Sequence, residues 1–165
     1  MPKIAPALRQ ADIFYRLTTD QLALIAEICE EREYTTGEVI FYEQDRSDEL
    51  YVIMQGIVDI LVNPALVSDG PTEETPAVTI ATLRRGQSFG EIALVDQGLR
   101  SATARAAQDS TRLLVIPRDA LKQICEAHPE LGYRLMLNLA ADLALKIRST
   151  DLEIREKLLY GHTQK

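Results

Sequence analysis

Apolar positions change their spacing twice along the chain, and each change marks a change of element. From Ala7 to Arg32 they recur at helical intervals, with Leu8, Ile13 and Phe14 in one cluster and Leu22, Leu24, Ile25 and Ile28 in another. Such spacing puts the apolar residues on one helix face. Thr18 or Thr19 stands as an N-cap in LTTDQLALIAEI, so two short helices are expected within residues 7–33. Period-two alternation then takes over. EYTTGEVIFYEQD alternates around Val39 and Phe41, and ELYVIMQGIVDILV places Tyr51 and Ile53 before a Gln-Gly pair and Ile57 and Val58 after it. A hairpin is expected there, with Gly56 supplying a turn conformation closed to most residues. NPALVSDGPTEETPA, residues 63–77, reads as a long exposed loop. VTIATLRRGQSFG, SATARAAQD and TRLLVIPRD restore the strand pattern, so a β-rich unit is expected over residues 34–118. Short strands broken by Gly suggest a jelly roll or barrel rather than a parallel sheet.

The remainder, residues 119–160, is helical again. RDALKQICEAHP is a short helix with Asp119 near its start, stopped before Pro129. A single long helix is then expected from Glu130 to Tyr160, where Leu135, Leu139, Leu143, Ile147, Thr150, Ile154 and Leu158 step by three or four. At 3.6 residues per turn that is about eight turns. One small domain rarely covers so long a stripe, so a self-complementary helix pair, and hence a homodimer, is the economical expectation. Residues 1–165 are expected to form one domain, with no DNA-binding domain.

Charge and composition narrow the classes. The 165 residues carry a net charge of −7, which argues against general affinity for nucleic acid. No apolar run reaches the length of a membrane span, and MPKIAPALRQ lacks the layout of a signal peptide. A cytoplasmic protein with no membrane association is expected. Cys29 and Cys125 stand among apolar neighbours and are expected to be buried reduced thiols. There is no Ser/His/Asp set, metal-ligand pair or phosphate-binding loop. The expectation is therefore a binding protein without metal, not an enzyme.

One stretch concentrates chemistry. GQSFGEIALVDQGLRSATARA, Gly86 to Ala106, holds Glu91, Arg100, three Gly and a Ser-Ala-Thr run within largely apolar sequence. Glu91 has no basic partner at i+4, where Val95 stands. Residues after Gly90 suit a short helical turn whose first N–H groups, from Glu91 through Ile92 to Ala93, face outward as an anion site. The planar fork of Arg100 suits a phosphate, and Ser101, Ala102 and Thr103 follow it. An ionised Glu91 accepts hydrogen bonds and suits a ribose hydroxyl. Two plainer readings are an ion pair between Glu91 and Arg100 that closes a loop, and a pair between Asp96 and Arg100.

FGEIAL, five further residues and RSAT, together with GEVIFYEQDRSDELYVIMQGIVDIL upstream, resemble the cyclic nucleotide-binding domain family. That family spans bacterial catabolite activators, protein kinase A regulatory subunits and cyclic nucleotide-gated channels. The resemblance runs from about Phe14 to Leu159. It implies an α+β fold: a β-jelly-roll (double-stranded β-helix) barrel with N-terminal helices and a long C-terminal helix. It further implies that Glu91 holds the ribose 2′-hydroxyl, that Gly90 with the backbone of Ile92 and Ala93 lines the sugar-phosphate pocket, and that Arg100, assisted by Ser101, pairs with the cyclic phosphate. Ala102 falls within the same motif. Ser149 or Thr150 would meet the base. Three positions depart from the pattern: Gln44 and Ser47 stand where Gly is usual, and Leu99 where Pro is common. The implied ligand is cAMP or cGMP and the implied output a repositioned C-terminal helix acting on an unknown downstream protein. A transcription regulator lacking its helix-turn-helix, or a dimeric shell with a degenerate pocket, are the alternatives.

Overall fold

The computed structural model describes residues 4–46, 48–64, 76–96 and 98–160. Helices α1 (Ile4–Arg9) and α2 (Thr19–Ile28) flank a single 3₁₀ turn at Asp12–Phe14. Thr18 caps α2 in a reciprocal box: its hydroxyl accepts from the Gln21 N–H, and the Gln21 side chain accepts from the Thr18 N–H. The N-terminal helices do not extend to residue 33 as expected. Helix α2 ends at Ile28, and strand β1 occupies Glu30–Tyr34. Among its side chains only alternate ones are partly covered, so its apolar content is too low to show as a strand in sequence.

Strands β2 (Val39–Phe41), β3 (Glu49–Gln55), β4 (Ile57–Val62), β5 (Val78–Arg84), β6 (Ser88–Phe89), β7 (Thr103–Ala106) and β8 (Thr111–Pro117) complete the β-rich unit. They form two antiparallel four-stranded sheets, ordered β1-β8-β3-β6 and β2-β7-β4-β5. This is the expected jelly-roll barrel. The hairpin expected around Gly56 is not one, because β3 and β4 lie in different sheets. Gly56 is instead the corner where the chain crosses between sheets. Its φ is 94°, and a Cβ there would lie 2.3 Å from the Thr111 hydroxyl oxygen and 2.7 Å from the Thr111 Cα. The true hairpin joins β4 to β5. Most of the loop expected at residues 63–77 lies outside the described residues.

The core has two parts separated by the first sheet. Leu50 and Val52 on β3, with Leu114 and Ile116 on β8, pack outward against Phe14, Leu22, Ile25, Leu121, Leu131, Leu135 and Leu139. Tyr51 and Ile53, with Leu113 and Val115, pack inward against Val58, Phe89 and Ala104. Both faces of these two strands are buried, which explains their continuous apolar runs YVI and LLVI. The second sheet has no such cover, and β5 is exposed along almost its whole length.

Helix α3 (Arg118–Ala127) and the 32-residue helix α4 (Pro129–Tyr160) follow. The Asn138 side chain fastens α4 to the N-terminal segment by donating to the Ile13 and Tyr15 carbonyls at 3.0 and 2.7 Å. The stripe expected to pair α4 with a second copy divides. Leu135 and Leu139 are 0% and 2% exposed in the chain's own core, whereas Ile147, Ile154 and Leu158 are 62%, 51% and 62% exposed. Leu143, between them, packs partly against the core. Both cysteines are free and only half-buried rather than buried. Burial still pushes the Cys29 thiol up to about 12, and that thiol donates to the Ile25 carbonyl. No helix among the described residues is long and apolar enough to cross a membrane.

Candidate functional site

A cavity of about 770 Å³ opens between the second sheet, the segment from Gly90 to Ala102 and the inward face of α4. Its volume lies within the usual range for small-molecule sites. Gly90, Glu91, Ile92, Arg100, Ser101, Ala102, Ser149 and Thr150 all line it. Acidic, basic, hydroxyl-bearing and apolar residues far apart in sequence are thus brought to one hollow. Ala93 is the exception: it is buried away from the cavity, and its N–H donates to the Gly90 carbonyl at 3.1 Å. The outward N–H expected of Ala93 is therefore consumed within the turn, because 3₁₀ geometry closes a bond after three residues.

Gly90 begins the 3₁₀ turn Glu91–Leu94 from a left-handed conformation, φ 74°. A Cβ there would come within 2.6 Å of the Arg100 Nη1 and 3.1 Å of the Glu49 carbonyl. Glycine is thus required twice over, by backbone conformation and by the guanidinium packed against it.

Arg100 is 6% exposed. Its Nη2 donates to the Glu49 carbonyl at 2.8 Å and its Nη1 to the Gly90 carbonyl at 3.4 Å. The Phe41 ring lies 4.1 Å from the guanidinium carbon and the Tyr51 ring 5.6 Å. Its Nε is buried without a hydrogen-bond partner. Burial lowers the guanidinium from its ordinary value, with the field of nearby acids working the other way. Its backbone is held by a loop from the first strands: the Gln44 N–H donates to the Arg100 carbonyl and the Arg100 N–H to the Asp45 carbonyl, both at 2.8 Å. Gln44 has φ 71°, so the position where the family usually has Gly keeps the left-handed conformation in spite of its side chain. Ser47 lies outside the described residues. Leu99 forms an isolated antiparallel bridge with Arg46.

Glu91, 5% exposed, does not pair with Arg100. Its Oε1 accepts from the Lys146 Nζ on α4, and that ammonium also lies 2.8 Å from Asp142 Oδ2. Burial works against the charge on Lys146, but the fields and hydrogen bonds of Glu91 and Asp142 prevail and hold it above the usual lysine value. Asp96 accepts from the Gly98 N–H, so neither loop-closing ion pair is formed. Thr150 donates to the Lys146 carbonyl at 3.0 Å, which accounts for a hydroxyl on an otherwise apolar stripe.

Sequence reasoning misses Lys146 and Phe41, which line the cavity, and Tyr51, which packs beside Arg100 without lining it. The i, i+4 spacing of Asp142 and Lys146 was a visible signal, but nothing local connects either to Glu91. Among the described residues no cluster of three or more His, Cys, Asp or Glu is placed to hold a metal ion.

With this geometry, comparison with known proteins is direct. The family profile of the cyclic nucleotide-binding domain matches residues 31–128, more than half of the sequence, and the chain belongs to that family. It is 32% identical over 147 residues to the cyclic AMP receptor protein of Thermus thermophilus, covering 89% of this chain and 62% of that one. It is also 31% identical over 111 residues to the cAMP-dependent protein kinase regulatory subunit of Mycosarcoma maydis, covering 66% of this chain and 19% of that one. The chain thus spans less than two thirds of either relative. Among solved structures, the Thermus thermophilus catabolite activator protein superposes with a TM-score of 0.71 at 31% identity, covering 88% of this chain and 62% of that one.

Proposed function

We propose that this chain is a cyclic AMP-binding regulatory module without enzymatic activity, working as a homodimer through the exposed half of α4. One observation carries the reading. Arg100 and Glu91 are both buried, are not paired with each other, and line one cavity that Ser149 and Thr150 of α4 also line. A buried cation and a buried carboxylate at separate points of one hollow suit a ligand with an anion at one end and hydroxyls at the other. Arg100 takes the cyclic phosphate with Ser101 beside it, Glu91 takes a ribose hydroxyl, and Ser149 or Thr150 meets the base. The names of the Thermus and Mycosarcoma relatives support cAMP as the nucleotide, with cGMP as its competitor.

Regulation follows from where these groups sit. Arg100 and Glu91 belong to the barrel, whereas Ser149 and Thr150 belong to α4. A ligand that binds better when α4 is docked shifts the population toward the docked state. The signal is then a changed α4 surface read by a second copy or by a downstream protein. Titration calorimetry with cAMP and with cGMP tests the reading. Arg100→Ala is expected to weaken cAMP binding by roughly 2–5 kcal/mol, since a buried phosphate would lose its charge partner. Affinity unchanged in that variant would remove the assigned role, and no binding of either nucleotide by the wild type would leave a dimeric shell.

The likeness to the Thermus receptor favours a second reading, in which the same module serves a transcription regulator of the catabolite activator type. A gel-shift assay of the full-length gene product with and without cAMP separates the two: ligand-dependent retardation of DNA supports the second and none supports the first.

A further inference from the structure

Arg100 is a buried cation without an acid of its own: it forms no ion pair among the described residues. Isolated buried charge is costly, and here two carbonyls and the faces of Phe41 and Tyr51 offset part of that cost. An acid does stand beside it. Glu49 supplies one of those carbonyls, and the field of its carboxylate reaches the guanidinium. Glu49 and Tyr51, two residues apart on β3, point to the same face of the strand. Both charged groups touch Tyr51, the guanidinium at 5.6 Å from its ring and the carboxylate at 2.6 Å from its hydroxyl, and two such groups commonly join in a forked pair.

They do not join: the Glu49 carboxylate has other partners. Tyr51 Oη donates to its Oε2 at 2.6 Å. Arg32 on β1 closes a fork on it, with Nη1 at 3.3 Å from Oε2 and Nη2 at 3.0 Å from Oε1. Asp48 also contributes to the field at Arg100, but it is exposed to solvent. Burial opposes ionisation of Glu49, yet the hydrogen bonds from Tyr51 and Arg32 outweigh it and hold the carboxyl below its usual value.

We propose that Arg32 and Tyr51 are positioning residues that sequester the Glu49 carboxylate and so reserve the charge of Arg100 for an anionic ligand. The inference rests on the cyclic nucleotide reading of the same cavity and assigns work to residues that do not line it. A ligand phosphate meets a guanidinium that is desolvated, oriented by rings and carbonyls, and not already neutralised. If Arg32 is removed, one neutral hydroxyl is left to hold Glu49, and the carboxylate turns to Arg100 and competes with the phosphate.

The competition gives a distinctive pattern in three variants, read by calorimetry with cAMP. Arg32→Ala should weaken binding by about tenfold, an interaction of ordinary size for contacting charges. Glu49→Gln alone should bind as tightly as the wild type or tighter, because the competing charge is gone. Arg32→Ala combined with Glu49→Gln should return affinity to within about twofold of the wild type. A purely structural role for Arg32 predicts the opposite, a double variant no better than Arg32→Ala, and that result overturns the proposal, as does full affinity in Arg32→Ala. A ligand-free measurement keeps this separate from the nucleotide reading. The Arg100 Nε–H resonance should move in Arg32→Ala and return in the double variant. If the wild type binds no cyclic nucleotide, the functional reading falls and this resonance alone decides: movement and return support sequestration, and a resonance unmoved by Arg32→Ala refutes it.

Discussion

The two halves of α4 obey the same sequence pattern and meet opposite fates. In the first half, Leu131, Leu135 and Leu139 are all but inaccessible, packed against Phe14, Leu22 and the outer face of the first sheet. In the second half, Ile147, Leu152, Ile154 and Leu158 are more than half exposed. The helix leaves the barrel at about Leu143, and beyond it one face lines the cavity while large apolar side chains stay uncovered. Amphipathic spacing therefore states only that a face is to be covered. Whether the cover comes from the chain itself or from elsewhere depends on where the helix passes over the barrel.

Four measurements break or sharpen that contrast. The largest effect belongs to the covered half: Leu135→Ala should cost about 2–5 kcal/mol of unfolding free energy, seen as a lowered denaturant midpoint, because it opens a void in a fully packed region. Next comes the junction. Lys146→Gln breaks the link between α4 and Glu91 and should loosen the second half by about 1–2 kcal/mol, less than a fully buried pair because the lysine is 40% exposed. Amide exchange should quicken across residues 145–157 and stay slow near Leu135, and equal quickening in both halves would show that they are one unit after all. Third, Ile147→Glu with Leu158→Glu, two exposed positions outside the cavity, should change monomer stability by no more than about 0.5 kcal/mol. The same pair should abolish self-association in sedimentation, and a dimer that persists would place the interface elsewhere. The smallest effect is with pH. Lys146 is held above the usual lysine value, so its contribution is complete at neutral pH and lost only as pH rises through that raised value. Exchange in residues 145–157, corrected for intrinsic rates, should therefore be flat between about pH 6 and 9; loosening within that window would assign the docking to another group.

Elements with strong periodicity are legible in the sequence itself. The α2 cap at Thr18, the apolar strands β3 and β8, a short helical turn after Gly90 and the length of α4 all follow from local pattern. Elements that depend on a distant partner are not. EEREY looked like the tail of a helix because its charged side chains mask a strand formed only by pairing with β8. Gly56 marked a reversal correctly, but a corner between two sheets and a hairpin turn make the same demand on one glycine. In the site, Arg100 and Glu91 announced themselves by standing in apolar sequence, and the cavity holds both. What holds them could not be read. Lys146 lies 55 residues from Glu91, and Glu49 lies 51 from Arg100.

By itself the sequence determined which residues seek burial, where the chain turns, and that an acid and an arginine share one short segment. Those are consequences of side-chain chemistry and spacing within a few residues. Only the tertiary structure decided that the acid and the arginine stay apart, that a lysine from the last helix takes the one and aromatic rings and carbonyls the other, and that half of α4 is left uncovered. Each of these depends on distances between segments that touch only after the two sheets close, and side-chain order along a chain carries no such distances.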